Sequence, residues 1–218
     1  MSAGLDRNGR PIDFDPARLA ARLGGGPVEV VRMAGGQSNP TYRVTHGGRD
    51  MVLRKPPSGN TLPSAHAVDR EYRVMSALAD TDVPVPRTIL LETDPDVIGT
   101  PFYLMERLEG RVLHDSALPG LSPADRRAVW RETAATLARL HRVDWRAAGL
   151  ERFGREGGYL ARQVRRWTRQ WELSRTRADD TVDRVAALLA RAVPDDGRTS
   201  VVHGDFRIGN LMLAPGAP

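Results

Sequence analysis

The chain contains 218 residues, 40% of them hydrophobic, which is enough for one large domain or two small lobes with a buried core. It has no cysteine, so disulfides, iron–sulfur clusters and thiolate zinc sites are excluded, and its five histidines have no metal-binding spacing. The net charge of +5 comes from arginines spread along the chain and one lysine, and no run is apolar enough for a membrane span or secretion signal, so we expect a cytoplasmic protein.

Residues 1–27 are predicted to form an N-terminal helical extension. The segment "DPARLAARLGGG" is typical of a short helix with Asp15 as its N-cap and Pro16 in the first turn. Leu19 and Leu23 face inward in this prediction, and Gly24 ends the helix.

Residues 28–109 are predicted to form a β-rich N-lobe. The segments "VEVVRM", "TYRVTH" and "RDMVLRK" read as three antiparallel strands. A helix follows in "SAHAVDREYRVMSAL", with Ser64 as its N-cap, and two more strands follow in "VPVPRTILLE" and "GTPFYLMERLEG". The element order predicts a small antiparallel sheet with one helix.

Residues 110–218 are predicted to form a helical C-lobe. The helix in "SPADRRAVWRETAATLARLHRVD" begins with Ser122 as N-cap and Asp125 as the capping-box acid, and Trp130 lies on its apolar stripe. In "YLARQVRRWTRQWEL", Trp167 and Trp171 share an inward stripe opposite the arginines, a pattern that disfavours base stacking. A third helix follows in "DDTVDRVAALLARAVP".

Glu71 lies on the apolar stripe of the N-lobe helix, where a carboxylate needs a cationic partner. Arg54 and Lys55 are the candidates, but strand alternation directs them to opposite faces of the sheet. The pattern alone leaves this choice open.

The segment "AGGQSNP" interrupts two strands and contains Gly35 and Gly36, which can adopt positive φ or permit close backbone approach. By itself it is more typical of an ordinary hairpin turn.

The segment "VVHGDFRIGN" carries His203, Asp205 and Asn210 with the H-x-D-x-x-x-x-N spacing of the protein-kinase catalytic loop. Gly204 stands where protein kinases have arginine. The motif follows a Gly loop, a cationic strand and a helical glutamate in kinase order, which strengthens the match.

Several segments between Gly35 and Asn210 together resemble the aminoglycoside phosphotransferase and choline kinase superfamily. The resemblance is strongest to the kinase-like domains of acyl-CoA dehydrogenase family members ten and eleven. It implies an α+β, protein-kinase-like, two-lobed fold. The segments that carry it are "GGQSNPTYRV", "MVLRKPP", "HAVDREYRVMSAL", "VPVPR", "GTPFYLMERLEGRV", "LARLHRVD" and "VVHGDFRIGN".

The resemblance also implies roles for individual residues. Arg54 takes the place of the strand lysine that grips the nucleotide phosphates, with Glu71 as its partner. Asp205 accepts the proton of the substrate hydroxyl, Asn210 holds Mg²⁺, and His203 braces the loop from inside, buried and hydrogen-bonded. The loop that would cover the phosphates comprises Gly35, Gly36, Gln37, Ser38 and Asn39. The hinge that would bind adenine comprises Met105, Glu106 and Leu108.

One departure concerns the metal site, because the superfamily has a second metal-binding aspartate beyond the loop and none follows Asn210 here. We therefore expect a fragment of a longer chain that is incomplete for full activity, because a chain ending directly after the apolar catalytic-loop strand would leave that strand without neighbours. The predicted function is transfer of the γ-phosphoryl group of ATP to a small-molecule hydroxyl, in a hydroxyacyl-CoA or an aminoglycoside-like alcohol. The alternatives are a non-catalytic pseudokinase-like module and an arginine-rich nucleic-acid-binding protein.

Overall fold

The computed structural model describes residues 4–33, 39–58, 68–154, 156–195 and 197–218. Internal contacts define two units, Met1–Val143 with His203–Pro218, and Asp144–Val202. The division at residues 27 and 109 that the sequence suggests stays a prediction.

The N-terminal segment packs into the first unit. Strands β1 (Gly4–Leu5) and β2 (Pro11–Ile12) pair antiparallel and precede helix α1 (Pro16–Arg22). Asp15 caps this helix as predicted, because its side chain accepts a hydrogen bond from the Ala17 N–H. Phe14 and Leu19 are buried in the same core cluster as the sheet residues that follow. The segment therefore completes a core that the sheet alone would leave exposed.

The main sheet has the predicted antiparallel strands. They are β3 (Val28–Arg32), β4 (Thr41–His46), β5 (Arg49–Arg54), β6 (Thr88–Glu92) and β7 (Phe102–Glu106), in the spatial order β3-β4-β5-β7-β6. Helix α2 (Val68–Leu78) packs against β6 and β7, and the predicted cap Ser64 lies outside the described residues.

Strand alternation gives the sheet two different faces. Tyr42, Leu53 and Leu104 lie opposite one another on β4, β5 and β7 and are fully buried against the core that contains α1. Arg54 lies opposite Tyr103, on the face that meets α2. The two faces thus separate the main apolar core from a polar cluster.

The rest of the first unit supports the segment around Asp205. Strand β8 (Arg111–Val112) pairs antiparallel with β9 (Met212–Leu213), and a 3₁₀ turn (Ile208–Asn210) precedes β9. The strand after the loop therefore has a neighbour within this chain, and the expectation that it would lack one is wrong, because the segment that follows Gly110 pairs with it.

Helix α3 (Pro123–Arg142) begins as predicted, since Ser122 Oγ accepts from the Asp125 N–H at 3.2 Å and donates to Asp125 Oδ2 at 2.7 Å. Its buried contact to the loop is made by Val129, which packs with Leu118 and Ile208. Trp130, the predicted core residue, is 40% exposed, and the buried residues of this helix are Val129 and Leu140.

The second unit contains helices α4 (Tyr159–Ser174) and α5 (Asp180–Arg191), which pack against each other. Trp171 Nε1 donates to Asp183 Oδ1 at 2.9 Å. The inward position predicted for Trp167 is wrong: this side chain is 61% exposed, with the Arg166 guanidinium over its ring, since one helix covers only part of the α4 surface. None of the described helices is both long and apolar enough to cross a membrane.

Candidate active site

Glu71 forms an ion pair with Arg54 across the interface between α2 and the sheet. The Arg54 Nε and Glu71 Oε2 atoms are 2.9 Å apart, and each side chain is about one-third exposed. The Arg54 Nε makes no hydrogen bond within the described residues, so the contact is electrostatic rather than directional. Arg54, and not Lys55, is the partner of Glu71.

Two further donors fix the Glu71 carboxylate. The Tyr103 hydroxyl donates to Oε2 at 2.9 Å, and the Asn39 amide donates to Oε1 at 3.1 Å. Burial and the adjacent Glu71 carboxylate raise the pKa of Tyr103, which therefore stays protonated as a donor. Tyr103 is absent from the sequence prediction, although its position opposite Arg54 follows from the strand register.

The predicted glycine-rich loop is described only in part. Gly35, Gly36, Gln37 and Ser38 lie outside the described residues. Asn39 is 3% exposed and contacts Glu71, so its side chain supports the ion pair.

The predicted hinge continues from the end of β7. Met105 lies opposite Val52, and the Glu106 N–H donates to the Arg87 carbonyl oxygen at 2.9 Å. The Glu106 carboxylate in turn accepts from the Arg87 N–H at 2.8 Å. Leu108, two residues after Glu106, is 43% exposed. A ligand that bonds to the hinge backbone would therefore find the accessible groups after Glu106.

Asp205 and Asn210 contact each other in the catalytic-type loop. The Asn210 side-chain amide donates to the Asp205 Oδ2 atom and to its carbonyl oxygen, both at 2.8 Å. The hydrogen bonds from Asn210 and Arg207 hold the pKa of Asp205 below its usual value. The carboxylate is thus ionised at neutral pH and able to accept a proton.

The same contacts set the orientation of Asn210. Because both Asp205 acceptors require the NH₂ group, the amide oxygen of Asn210 points away from them. Amide and carboxylate oxygens are ligands that Mg²⁺ accepts, and this ion usually keeps several waters and phosphate oxygens as well. Asn210 therefore fits the predicted metal-binding role, although the described residues hold no group of three or more His, Cys, Asp or Glu with metal-binding geometry.

His203 is placed differently from the prediction. Its Nδ1 accepts a hydrogen bond from the Asp205 N–H at 3.3 Å, and its ring lies edge-on to Phe206. The side chain is exposed, so the expectation of a buried histidine is wrong. The reason is that Ile208, which is 4% exposed, anchors the loop in the core instead.

Arg207 is a residue of this loop that sequence reasoning missed. Its Nε lies 3.3 Å from Asp205 Oδ2, and its side chain is 61% exposed. The available signal was its position between Asp205 and Asn210 in the motif. Asn210 and Arg207 both contact Oδ2, so Oδ1 of Asp205 is the oxygen left for a substrate hydroxyl.

The loop is held at its C-terminal end by close backbone packing. A Cβ atom on Gly110 would lie 2.3 Å from the Leu213 carbonyl oxygen, so only glycine permits the approach of β8 to β9. This pairing ties the loop to the segment that follows the hinge.

An antiparallel sheet with a strand arginine paired to a helical glutamate, together with an HGDxxxxN loop, is the arrangement of a kinase-like phosphotransferase. Residues 29–218 match the phosphotransferase enzyme family, and the chain belongs to this family. The resemblance to the acyl-CoA dehydrogenase relatives is confirmed. Acyl-CoA dehydrogenase family member 10 of Mus musculus is 46% identical over 190 residues, which are 87% of this chain and 18% of that relative.

Solved structures confirm the fold. A protein from Ralstonia eutropha, whose assignment as an aminoglycoside phosphotransferase is provisional, has a TM-score of 0.83 and 42% identity, covering 93% of this chain and 61% of that one. A thermostable mutant of an aminoglycoside phosphotransferase, solved with AMP-PNP and hygromycin B, has a TM-score of 0.60 and 17% identity, covering 91% and 66%. The chain thus has the kinase-like fold of aminoglycoside phosphotransferases and spans part of each relative's length.

Proposed function

We propose that this chain belongs to an ATP-dependent kinase that transfers the γ-phosphoryl group to the hydroxyl of a small molecule. The observation that carries the proposal is the direct Asp205–Asn210 contact, which places an ionised carboxylate beside an available amide oxygen. A general base and a metal ligand are the two groups that a kinase catalytic loop must supply.

In the proposed reaction, the hydroxyl of the acceptor binds at Asp205 Oδ1. Its oxygen attacks the γ-phosphorus of ATP, the bond from that phosphorus to the β-γ bridging oxygen breaks, and Asp205 accepts the hydroxyl proton. The products are the phosphorylated acceptor and ADP. Mg²⁺ bound through the Asn210 amide oxygen would neutralise charge on the phosphate oxygens.

Arg54 is the proposed phosphate-binding cation of the nucleotide site. Its guanidinium has several donors, so it can contact Glu71 and a phosphate oxygen at the same time. Glu71 would hold it in place with the help of Tyr103 and Asn39. The Gly35–Ser38 segment would cover the phosphates, and the backbone from Met105 to Leu108 would contact adenine.

For the acceptor, we propose a hydroxyacyl thioester in preference to an aminoglycoside. The exposed Arg207 cation beside Asp205 would repel a polycationic aminoglycoside but not a neutral or anionic acceptor. The relatives among acyl-CoA dehydrogenases point in the same direction. A cytoplasmic location remains a prediction from the sequence.

The test is a coupled ADP-release assay on the whole protein to which this chain belongs, with Mg²⁺, ATP and candidate hydroxyacyl thioesters and aminoglycosides. Asp205→Asn should lower kcat by about 10²–10⁴-fold and leave nucleotide binding intact, because the base acts on the acceptor. Asp80→Asn, at an exposed aspartate just after α2, is the matched control and should retain activity. Nucleotide binding without transfer to any acceptor would favour the pseudokinase-like alternative.

A further inference from the structure

Lys55 is a fully buried lysine that takes no part in the ion pair with Glu71. Its side chain is 0% exposed, and its Nζ lies 2.7 Å from Asp13 Oδ2 and 3.0 Å from Ser58 Oγ. A buried ammonium group is costly unless it is paired and hydrogen-bonded, so these contacts are needed to keep it inside.

Asp13 is the centre of this arrangement. The Tyr42 hydroxyl donates to Oδ1 at 2.6 Å, and the Ser58 hydroxyl donates to Oδ2 at 2.9 Å. Burial raises the pKa of Asp13, but the hydrogen bonds from Lys55 and Tyr42 outweigh it and leave the pKa lowered. Asp13, Tyr42, Lys55 and Ser58 are referred to below as the Asp13 cluster.

Lys55 of the Asp13 cluster lies on the core face of the sheet, opposite to the face that carries Arg54. Lys55 directly follows Arg54, and its N–H donates to the Pro40 carbonyl oxygen at 3.2 Å. Pro40 in turn directly follows Asn39. The two residues adjacent to this backbone bond, Arg54 and Asn39, both contact Glu71. Fixing Lys55 therefore also fixes the backbone next to Arg54 and Asn39.

We propose that the Asp13 cluster is a positioning element for the phosphate site, through which the N-terminal segment holds Arg54 and Asn39 in place. The inference rests on the proposed function, since it assigns the cluster to nucleotide binding. A purely apolar core at this position would be as stable as a buried ion pair or more so, so stability alone does not account for the charges. A well-fixed backbone behind Arg54 does account for them, because a phosphate contact depends on the position of the guanidinium.

The test removes both charges together, so that no buried charge is left unpaired. In the double variant Asp13→Leu/Lys55→Met we expect folding to persist and the KM for ATP to rise about tenfold, with a smaller change in kcat. Phe14→Leu is the matched control, because Phe14 packs edge-on against Tyr42 in the same core, 5.1 Å between ring centroids, without belonging to the cluster. It should lower the melting temperature and leave the KM for ATP near that of the parent.

Tyr42→Phe provides a second, conservative variant that keeps the core volume and removes one hydrogen bond to Asp13. We expect its KM for ATP to rise about two- to threefold, and this variant decides the question if the double variant does not fold. An unchanged KM in Tyr42→Phe and in a folded double variant would overturn the proposal. A parent protein that binds no nucleotide would instead overturn the proposed function itself, together with this inference.

Discussion

At the scale of single residues, the polar contacts of the site can be tested one by one. Glu71 and Asp205 are each held by more than one neighbour, so a substitution changes charge and geometry together. The contacts are therefore best tested with double-mutant cycles and with measurements of stability and pH dependence as well as activity.

The ion pair between Arg54 and Glu71 should appear as a coupling free energy. In a double-mutant cycle of Arg54→Ala and Glu71→Gln, we expect a coupling of about 1 kcal/mol in the free energy of unfolding, since the pair is partly exposed. Urea unfolding of the four proteins measures it. Arg49→Ala, at the exposed start of β5, should combine additively with Glu71→Gln; additivity in both cycles would contradict the contact.

The depressed pKa of Asp205 predicts a pH effect. Asp205 must be ionised to act as a base, and the hydrogen bonds from Asn210 and Arg207 favour the ionised form. Removing one of them in Arg207→Gln should raise the pKa, so that activity is lost at a higher pH as the solution is acidified. The pH dependence of kcat/KM measures the shift. An acid limb at the same pH in both proteins would show that Arg207 does not affect the base.

At the scale of secondary-structure elements, the sequence predicted the sheet well and the α4 packing poorly. The strands of the sheet alternate in polarity, and Gly47 and Gly48 mark their turn, so local pattern is sufficient to place them. The burial of Trp130 and Trp167 depends instead on which elements cover each helix. That information is tertiary, and hydrophobic spacing alone placed both side chains incorrectly.

The pairing of β8 with β9 predicts a specific glycine requirement. Gly110→Ala should force the two strands apart, because the added Cβ would overlap the Leu213 carbonyl oxygen. We expect a loss of about 1–3 kcal/mol in stability and a fall in kcat as the Asp205 loop shifts. Gly120→Ala is the control, since nothing lies within 4 Å of its Cβ position. Equal melting temperatures and rates for the two variants would contradict the proposed role of the pairing.

At the scale of the whole molecule, some of the arginines form ion pairs with acidic residues in many parts of the fold. Those in ion pairs include Arg7, Arg22, Arg43, Arg107, Arg139, Arg146, Arg169 and Arg175. These pairs lie on several elements, and the other arginines are spread along the chain rather than gathered in one segment. The spread of the arginines is visible in the sequence and predicts a low nucleic-acid affinity, whereas ion pairs such as Arg22–Glu92 and Arg107–Asp50 join residues distant in the chain and could not be predicted from local pattern.

This charge distribution predicts weak DNA binding. Fluorescence anisotropy with a labelled duplex at about 150 mM salt should show a Kd above about 10⁻⁴ M, at or beyond the weak end of non-specific binding. The salt dependence should be shallow, because few phosphates can be contacted at once. Micromolar affinity with a steep salt slope would support the nucleic-acid-binding alternative instead.

The adjacency of Arg54 and Lys55 has a consequence for transferring function between sequences. Which cation pairs with Glu71 and which is buried in the core depends on parity, that is, on whether a residue is an odd or an even number of positions from the start of β5. An alignment shifted by one residue would still match a basic side chain and would score almost as well, yet it would assign the phosphate-binding role to a lysine sealed inside the protein. In related chains, the safer guide is the parity of the cation relative to the tyrosine opposite it on the neighbouring strand, rather than its identity as arginine or lysine.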